Sequence, residues 1–368
     1  MIQLSARRVF TGEKLLENKR VFIDQGKIVQ IVDEPLGNAF QYDCLAPAFF
    51  DTHINGGEQH YFTQAIDARA LDDIETASRH TGTGYVLPAL ITSSHENILK
   101  GLDVLREYKS QRPNSAILGL HLEGPYLNPK KRGAHLLKYV RKPNDREIDE
   151  ILERGADLIK IWTVAAELFS ESQIQKIQKS GIQLSLGHSD ATFEEANQAF
   201  GLGIRLVTHL YNAMSGLHHR KPGIVGATFL NEEVWAPIIP DGKHVHYGAV
   251  KAAFQAKPNR LFIISDALFL GRTKQNFQWE EFDAQLIDGE YVNSEGNLAG
   301  SAISVFEGLK NMVSEVNVPL KTAVEMATSR PAEALGLGAA IGYMAPGFPA
   351  RFSAFDEELK ACELIDLT

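Results

Sequence analysis

Two hydrophobic rhythms divide the chain. The first 45 residues alternate apolar and polar positions in short runs, the period-two pattern of half-buried strands. In RVFIDQGKIVQIV two such runs flank Gln25-Gly26, a pair that predicts a tight hairpin turn. The last stretch, PARFSAFDEELKACELIDL, reads the same way, so the two chain ends are expected to pair in one small β domain. Between them apolar runs alternate with helical segments. Eight runs stand out, at residues 46–55, 84–92, 116–124, 158–164, 182–189, 205–212, 235–242 and 260–267. Amphipathic pieces such as SESQIQKIQKSG and TFEEANQAFGLG lie between some of them. Eight alternating β and α units predict a parallel sheet closed into a (β/α)8 barrel.

That frame gives the polar residues a meaning. In such barrels the active site sits at the C-terminal ends of the strands. Polar, metal-competent side chains recur there and are nearly absent from the middles of the runs. The first run ends in His53 and Asn55, the third in Glu123, the fifth in His188 and the sixth in His209. The seventh carries Asp241 with His244 just beyond, and the eighth ends in Asp266.

Composition narrows the classes. The chain has 368 residues, 44% of them hydrophobic, enough for a large domain and a small one. A net charge of -9 argues against a nucleic-acid binder, which would show a basic face, but still permits an anionic substrate bound by local donors. Only two cysteines occur, Cys44 and Cys362, so no disulfide framework is expected. The N-terminus lacks an apolar segment of signal-peptide length, and no run approaches the roughly 20 apolar residues of a membrane span. The expectation is a soluble, cytoplasmic protein.

Glu123, His188 and His209 offer one carboxylate and two imidazoles. Three protein ligands with a fourth position open is the pattern of a catalytic zinc site, and Asp266 is placed to act as general base. Each residue alone has an ordinary structural use: a lone histidine as a satisfied core group, a lone carboxylate as a helix cap. Their coincidence at the same end of four strands favours the metal reading. In DTHIN, His53 is followed two residues later by Asn55. An amide is a poor ligand for a transition metal, so one divalent ion per chain is expected, with His53 left to at most a weak second site.

The motifs APAFFDTHINGG, HLEGPYLNPKKRGAH, LGHSDAT, THLYNAMSGLHHRKPGIVG, DGKHV, ISDA and LAGSA occur in one order that resembles the N-acetylglucosamine-6-phosphate deacetylases of the amidohydrolase superfamily. The resemblance runs nearly end to end. It implies a (β/α)8 barrel over residues 48–342 and a small β-sandwich domain from residues 1–47 and 343–368. It also implies a homodimer and the removal of acetate from a phosphorylated amino sugar, with Zn2+ as the expected metal and Fe2+ or another divalent ion as the alternative. By position, Glu123, His188 and His209 fall where the family holds its metal, and Asp266 where it exchanges the proton. His135 falls where a histidine polarises the amide carbonyl. Ala134, Asn212, Ala213, Arg220, His244, Leu298, Ala299 and Gly300 fall where substrate is bound. The sequence departs from the family pattern in three places: His53 with Asn55 lies between members that have His-x-His and two metals and members that lack both histidines and use one, Ala48 stands for a usual glycine, and Arg351 for a usual aspartate.

The chemistry agrees. Amide hydrolysis needs an activated water, an electrophile for the carbonyl oxygen and an acid for the leaving amine. A phosphate favours a bidentate arginine, for which Arg220 is the candidate, whereas Lys130, Lys131 and Arg132 read as a solvated loop. Competing readings are a deacetylase for the galactosamine epimer, another amidohydrolase such as a deaminase or cyclic-amide hydrolase, and a catalytically dead barrel used for binding.

Overall fold

Gln25 and Gly26 both adopt positive φ, 47° and 73°, as a two-residue type I′ turn requires. They join strands Leu15–Asp24 and Lys27–Asp33 in the expected hairpin. The computed structural model, which describes residues 1–34 and 39–368, places this hairpin at the edge of a six-stranded sheet. The order is Cys362–Asp366, Arg351–Phe355, Tyr42–Pro47, Ile2–Phe10, Leu15–Asp24, Lys27–Asp33. Neighbours are antiparallel except Ile2–Phe10 and Tyr42–Pro47, which run parallel. Both chain ends therefore share one sheet. Its own apolar cluster includes Leu4, Val9, Val21, Ile23, Leu45 and Phe352.

Arg351 fastens this sheet to the rest of the molecule. It is buried, pairs with Asp366 at 3.0 Å, and donates to the carbonyl oxygens of Gly84 (3.2 Å) and Asn114 (2.7 Å). Ser353 Oγ adds a bond to Gly82 O at 2.6 Å.

Each of the eight expected runs contains a parallel strand. Six of them, Phe49–Ile54, Thr83–Ile91, Leu120–Glu123, Ile159–Val164, Gln183–Leu186 and Leu206–Val207, pair in sequence order as a half-barrel sheet. Ala236–Ile238 and Leu261–Ile263 pair with each other as a separate two-stranded sheet. Single parallel bridges, Leu206 to Trp235 and Ile54 to Ala267, link the two sheets at either edge. The ladder is thin here for local reasons. Pro237 and Pro240 have no N–H to give, and the left-handed backbone at His209 and Asp266 ends their strands early.

The expected amphipathic pieces are helices Glu171–Lys179 and Phe193–Gly201, and both start with reciprocal caps, Ser170 with Gln173 and Thr192 with Glu195. The interior of the parallel strands is layered. Phe50, Leu87, Ile161, Leu206, Trp235 and Phe262 belong to one apolar cluster. Two residues further along its strand, Thr163 shares the inward face with Ile161. It bonds His121 Nε2 and Thr208 Oγ1, each at 2.7 Å, and Thr208 bonds Ser185 Oγ at 2.6 Å. This polar layer supports the strand ends above it.

One element was not foreseen. Residues read as part of the barrel form a separate three-stranded antiparallel sheet, Asn276–Trp279, Phe282–Ile287 and Glu290–Val292. Phe277, Trp279 and Phe282 pack against Tyr61 and Leu136. Among the described residues, no helix is long and apolar enough to cross a membrane.

A candidate metal centre at the strand ends

Strand alternation aims His121 and Glu123 to the same side, so Glu123 stands directly above the polar layer. Its carboxylate is the hub of the site. Oε1 lies 3.1 Å from His188 Nε2 and 3.2 Å from His209 Nε2, and the two imidazole nitrogens are 3.0 Å apart. Ligand atoms of Glu123, His135 and His188 all fall within 4.8 Å of one another. His53 Nε2 lies between two carboxylates, 3.2 Å from Glu123 Oε2 and 3.2 Å from Asp266 Oδ1. These groups are buried, except that Asp266 keeps a small exposure.

Three of the strand ends hold non-glycine residues in the left-handed region: His188 at φ 47°, His209 at 30° and Asp266 at 48°. L residues adopt it rarely, and such backbone persists only where its surroundings over-determine it. For Asp266 those surroundings are explicit. Its N–H donates to His53 O at 2.8 Å, and its carbonyl accepts from Ser301 N at 2.9 Å.

The donor set fits a divalent cation. His188 Nδ1 donates to Lys131 O at 2.8 Å, which leaves the Nε2 lone pair pointing at Glu123 Oε1 and at His209 Nε2. Lone pairs facing a carboxylate repel unless a cation lies between them, and a backbone carbonyl holding the other ring nitrogen is the usual support of a metal-bound histidine. His209 Nδ1 and both nitrogens of His53 are buried without an aligned hydrogen bond. Electrostatics shows the same demand for positive charge. Burial pushes His53 down, yet Asp266 and then Glu123 raise it to about 9. Burial pushes Glu123 up, but the charge of His53 and the close approach of His188, His209 and His53 hold it well below the usual carboxylate range. His121 beneath them is driven well below 6.5, first by burial and then by His53.

A cavity of about 190 Å³ opens above the cluster. Its wall contains Glu123, His188, His209, Asp266, His135, Ala134, Asn212, Ala213, His244, Leu298, Ala299 and Gly300, which gathers all but two of the positions given a metal, catalytic or substrate role from sequence. The first exception, His53, lies behind Glu123 and Asp266. The second, Arg220, is exposed next to the His218–Lys221 bridge and stays outside the lining. His135 is driven well below 6.5 by burial and then by His188, and its Nδ1 is 2.8 Å from Thr92 Oγ1. His244 Nδ1 lies 2.6 Å from Asp241 Oδ2. Burial lowers His244, but that bond and the charge of Asp241 raise it above 6.5, while Asp241 is lowered. Lys130 is well exposed and pairs with Asp190 at 3.5 Å, in keeping with a solvated loop. Lys131 nevertheless matters through its carbonyl on His188.

Sequence reasoning did not reach Tyr61, Thr92, Phe282 or the contact made by Asn55, which donates from Nδ2 to Asp266 Oδ1 at 2.8 Å. The signal for Asn55 was present: it lies two residues after His53, hence on the same strand face.

Against known proteins, the model of the amidohydrolase family matches residues 44–235 and 245–367. The chain is 32% identical over 362 residues to an N-acetylgalactosamine-6-phosphate deacetylase of Escherichia coli O157:H7, covering 97% of this chain and 95% of that protein. It is 34% identical over 319 residues to an N-acetylglucosamine-6-phosphate deacetylase of Haemophilus influenzae, covering 86% of this chain and 83% of that protein. The crystal structure of N-acetylglucosamine-6-phosphate deacetylase from Pasteurella multocida superposes with a TM-score of 0.91 at 32% identity, covering 98% of this chain and 97% of that one.

Proposed function

Because the chain belongs to the amidohydrolase family, we propose that its site hydrolyses the acetamide of N-acetyl-D-glucosamine 6-phosphate to D-glucosamine 6-phosphate and acetate. The observation that carries this reading is the convergence of Glu123, His188, His209 and Asp266 on one cavity at the strand ends. A divalent ion held by Glu123, His188 and His209, most readily Zn2+ given two imidazoles and a carboxylate, would supply water activation and carbonyl polarisation. Asp266 takes the proton of the attacking water and returns it to the leaving nitrogen, general base and then general acid. His135 polarises the carbonyl oxygen. His244, drawn towards its charged form by Asp241, gives the substrate phosphate a donor within the cavity. Arg220 is the further phosphate contact, brought to a cavity by its own loop or by a neighbouring subunit. Leu298, Ala299 and Gly300 line the same cavity together with Phe282.

The same reading includes a closed eight-stranded barrel over residues 48–342, a small β-sandwich domain from residues 1–47 and 343–368, a homodimer and a cytoplasmic setting. The single bridges at both edges of the half-barrel support closure. The galactosamine epimer is the second reading, favoured by the name of the Escherichia coli relative.

The test is acetate release from both 6-phosphorylated N-acetylhexosamines by purified protein, with metal content measured on the same sample. Acetate release that is lost on chelation and restored by Zn2+ is the expected result. The ratio of the two kcat/KM values decides the epimer. A fully metallated protein that releases acetate from neither sugar would sink the proposal.

A further inference from the structure

The asparagine of DTHIN has no part in the scheme above, yet it is the most closely held neighbour of the proton-transferring carboxylate. Asn55 is 5% exposed and lines the cavity. Its backbone N–H donates to Ala267 O at 2.9 Å, while Asp266 N donates to His53 O at 2.8 Å. The two strand ends are therefore zipped on both sides of the Asn55–Asp266 pair. Across that seam Asn55 Nδ2 donates to Asp266 Oδ1 at 2.8 Å. His53 Nε2 approaches the same oxygen at 3.2 Å. Both contacts fall on Oδ1 and neither engages Oδ2, while Asp266 itself lines the cavity. The amide assignment is forced, because a carboxylate can only accept from the nitrogen end of the side chain. Meanwhile Asn55 Oδ1 is buried without a partner. A buried amide with half its capacity unused is a poor choice for packing alone, where an apolar residue would avoid the unpaired acceptor.

We infer that Asn55 is a positioning residue for the hydrolysis proposed above: it pins Asp266 by Oδ1 so that Oδ2 is the oxygen that takes and returns the proton. This rests on the deacetylase reading and adds an assignment of roles to the two oxygens of one carboxylate. The bonds that join the two strand ends are backbone to backbone and do not use the amide, and an amide is a poor ligand for a transition metal. A general base must be held at the right angle to its proton, and a freely rotating carboxyl would spend much of its time misaligned.

The test compares wild type, Asn55→Ala and the near-isosteric Asn55→Asp, measuring kcat, KM, metal content and Tm on the phosphorylated sugar. In Asn55→Ala, kcat falls roughly tenfold to a hundredfold, the scale of one hydrogen bond to a charged group, while KM stays within about threefold. Asn55→Asp, which sets a like charge beside Asp266, loses at least as much. Metal content and Tm stay near wild type in at least one of the two. Three results overturn the inference: both variants within twofold of wild-type kcat, loss expressed only in KM, or metal lost in step with activity. A wild type that releases no acetate sinks the function and this role with it. An active wild type with unaffected variants sinks the role alone.

Discussion

The two ends of the parallel strands handle buried charge in opposite ways. On the terminal-sheet side, Arg351 meets a carboxylate, two backbone carbonyls and the Thr368 hydroxyl, which bind all but its Nε. Its partner Asp366 is lowered, burial being outweighed by the charge and hydrogen bond of Arg351, and Arg79 adds a second contact at 2.9 Å. On the cavity side, three imidazoles and two carboxylates crowd together with lone pairs opposed and ring nitrogens unpartnered. The difference separates purpose. Charges that find their partners within the chain hold the chain together, whereas charges left unanswered await something from outside.

The largest test of this contrast is on the unanswered side. His188→Ala and His209→Ala should lose bound metal and acetate release together, read by elemental analysis and an acetate assay, with little change in Tm of the metal-free protein. His53→Ala should keep most of both. If wild type instead carries two equivalents of metal and His53→Ala loses one, the single-ion reading is defeated.

Asp266→Asn should lower kcat at least about a hundredfold, the scale of general acid–base catalysis, with metal content nearly unchanged. Turnover close to wild type would remove Asp266 from the proton path.

Arg351→Met reverses the pattern of effects. It leaves Gly84 O and Asn114 O without their donor, though Arg79 still answers Asp366. The loss in unfolding free energy should be about 2–3 kcal/mol, below the full cost of breaking a buried pair. The remaining folded protein should keep its kcat/KM. Denaturant midpoints and kinetics on one preparation check both halves, and a fall in kcat/KM would mean that the two ends are coupled.

The smallest effect concerns pH. His244 is raised by Asp241, so its stabilising contribution is complete below the unfolded histidine value near 6.5 and is lost as pH rises through the higher folded value. Asp241 is lowered, so its contribution is complete above the unfolded aspartate value and is lost as pH falls through the folded one. Tm against pH should show an alkaline decline that flattens in His244→Gln. An identical profile in the variant would show that this pair is not linked to folding.

Much of this was legible in the sequence because strands have simple rules. Alternation and run length gave the eight parallel strands, and a polar residue ending an apolar run marked the cavity side. Gln25-Gly26 declared its hairpin through turn chemistry. Other features had no local signature. The sheet of residues 276–292 follows the last parallel strand in the chain, and its short strands resemble a connecting loop in pattern. Arg220 follows a motif that fixes its place along the chain, but not the path of an exposed loop in space. The tautomer of His188 depends on the carbonyl of Lys131, 57 residues earlier, and no periodicity conveys that.

The shared sheet also sets an order of events during synthesis. Phe49 N donates to Ser353 Oγ, a contact spanning 304 residues, and Tyr42–Pro47 lies directly against Arg351–Phe355. The first strands leave the ribosome long before their neighbour exists. One side of Tyr42–Pro47 therefore presents an unpaired edge throughout translation of the intervening units, in a segment whose inward residues are fully apolar. The nascent chain must be kept from pairing that edge with another copy until its own last strands arrive.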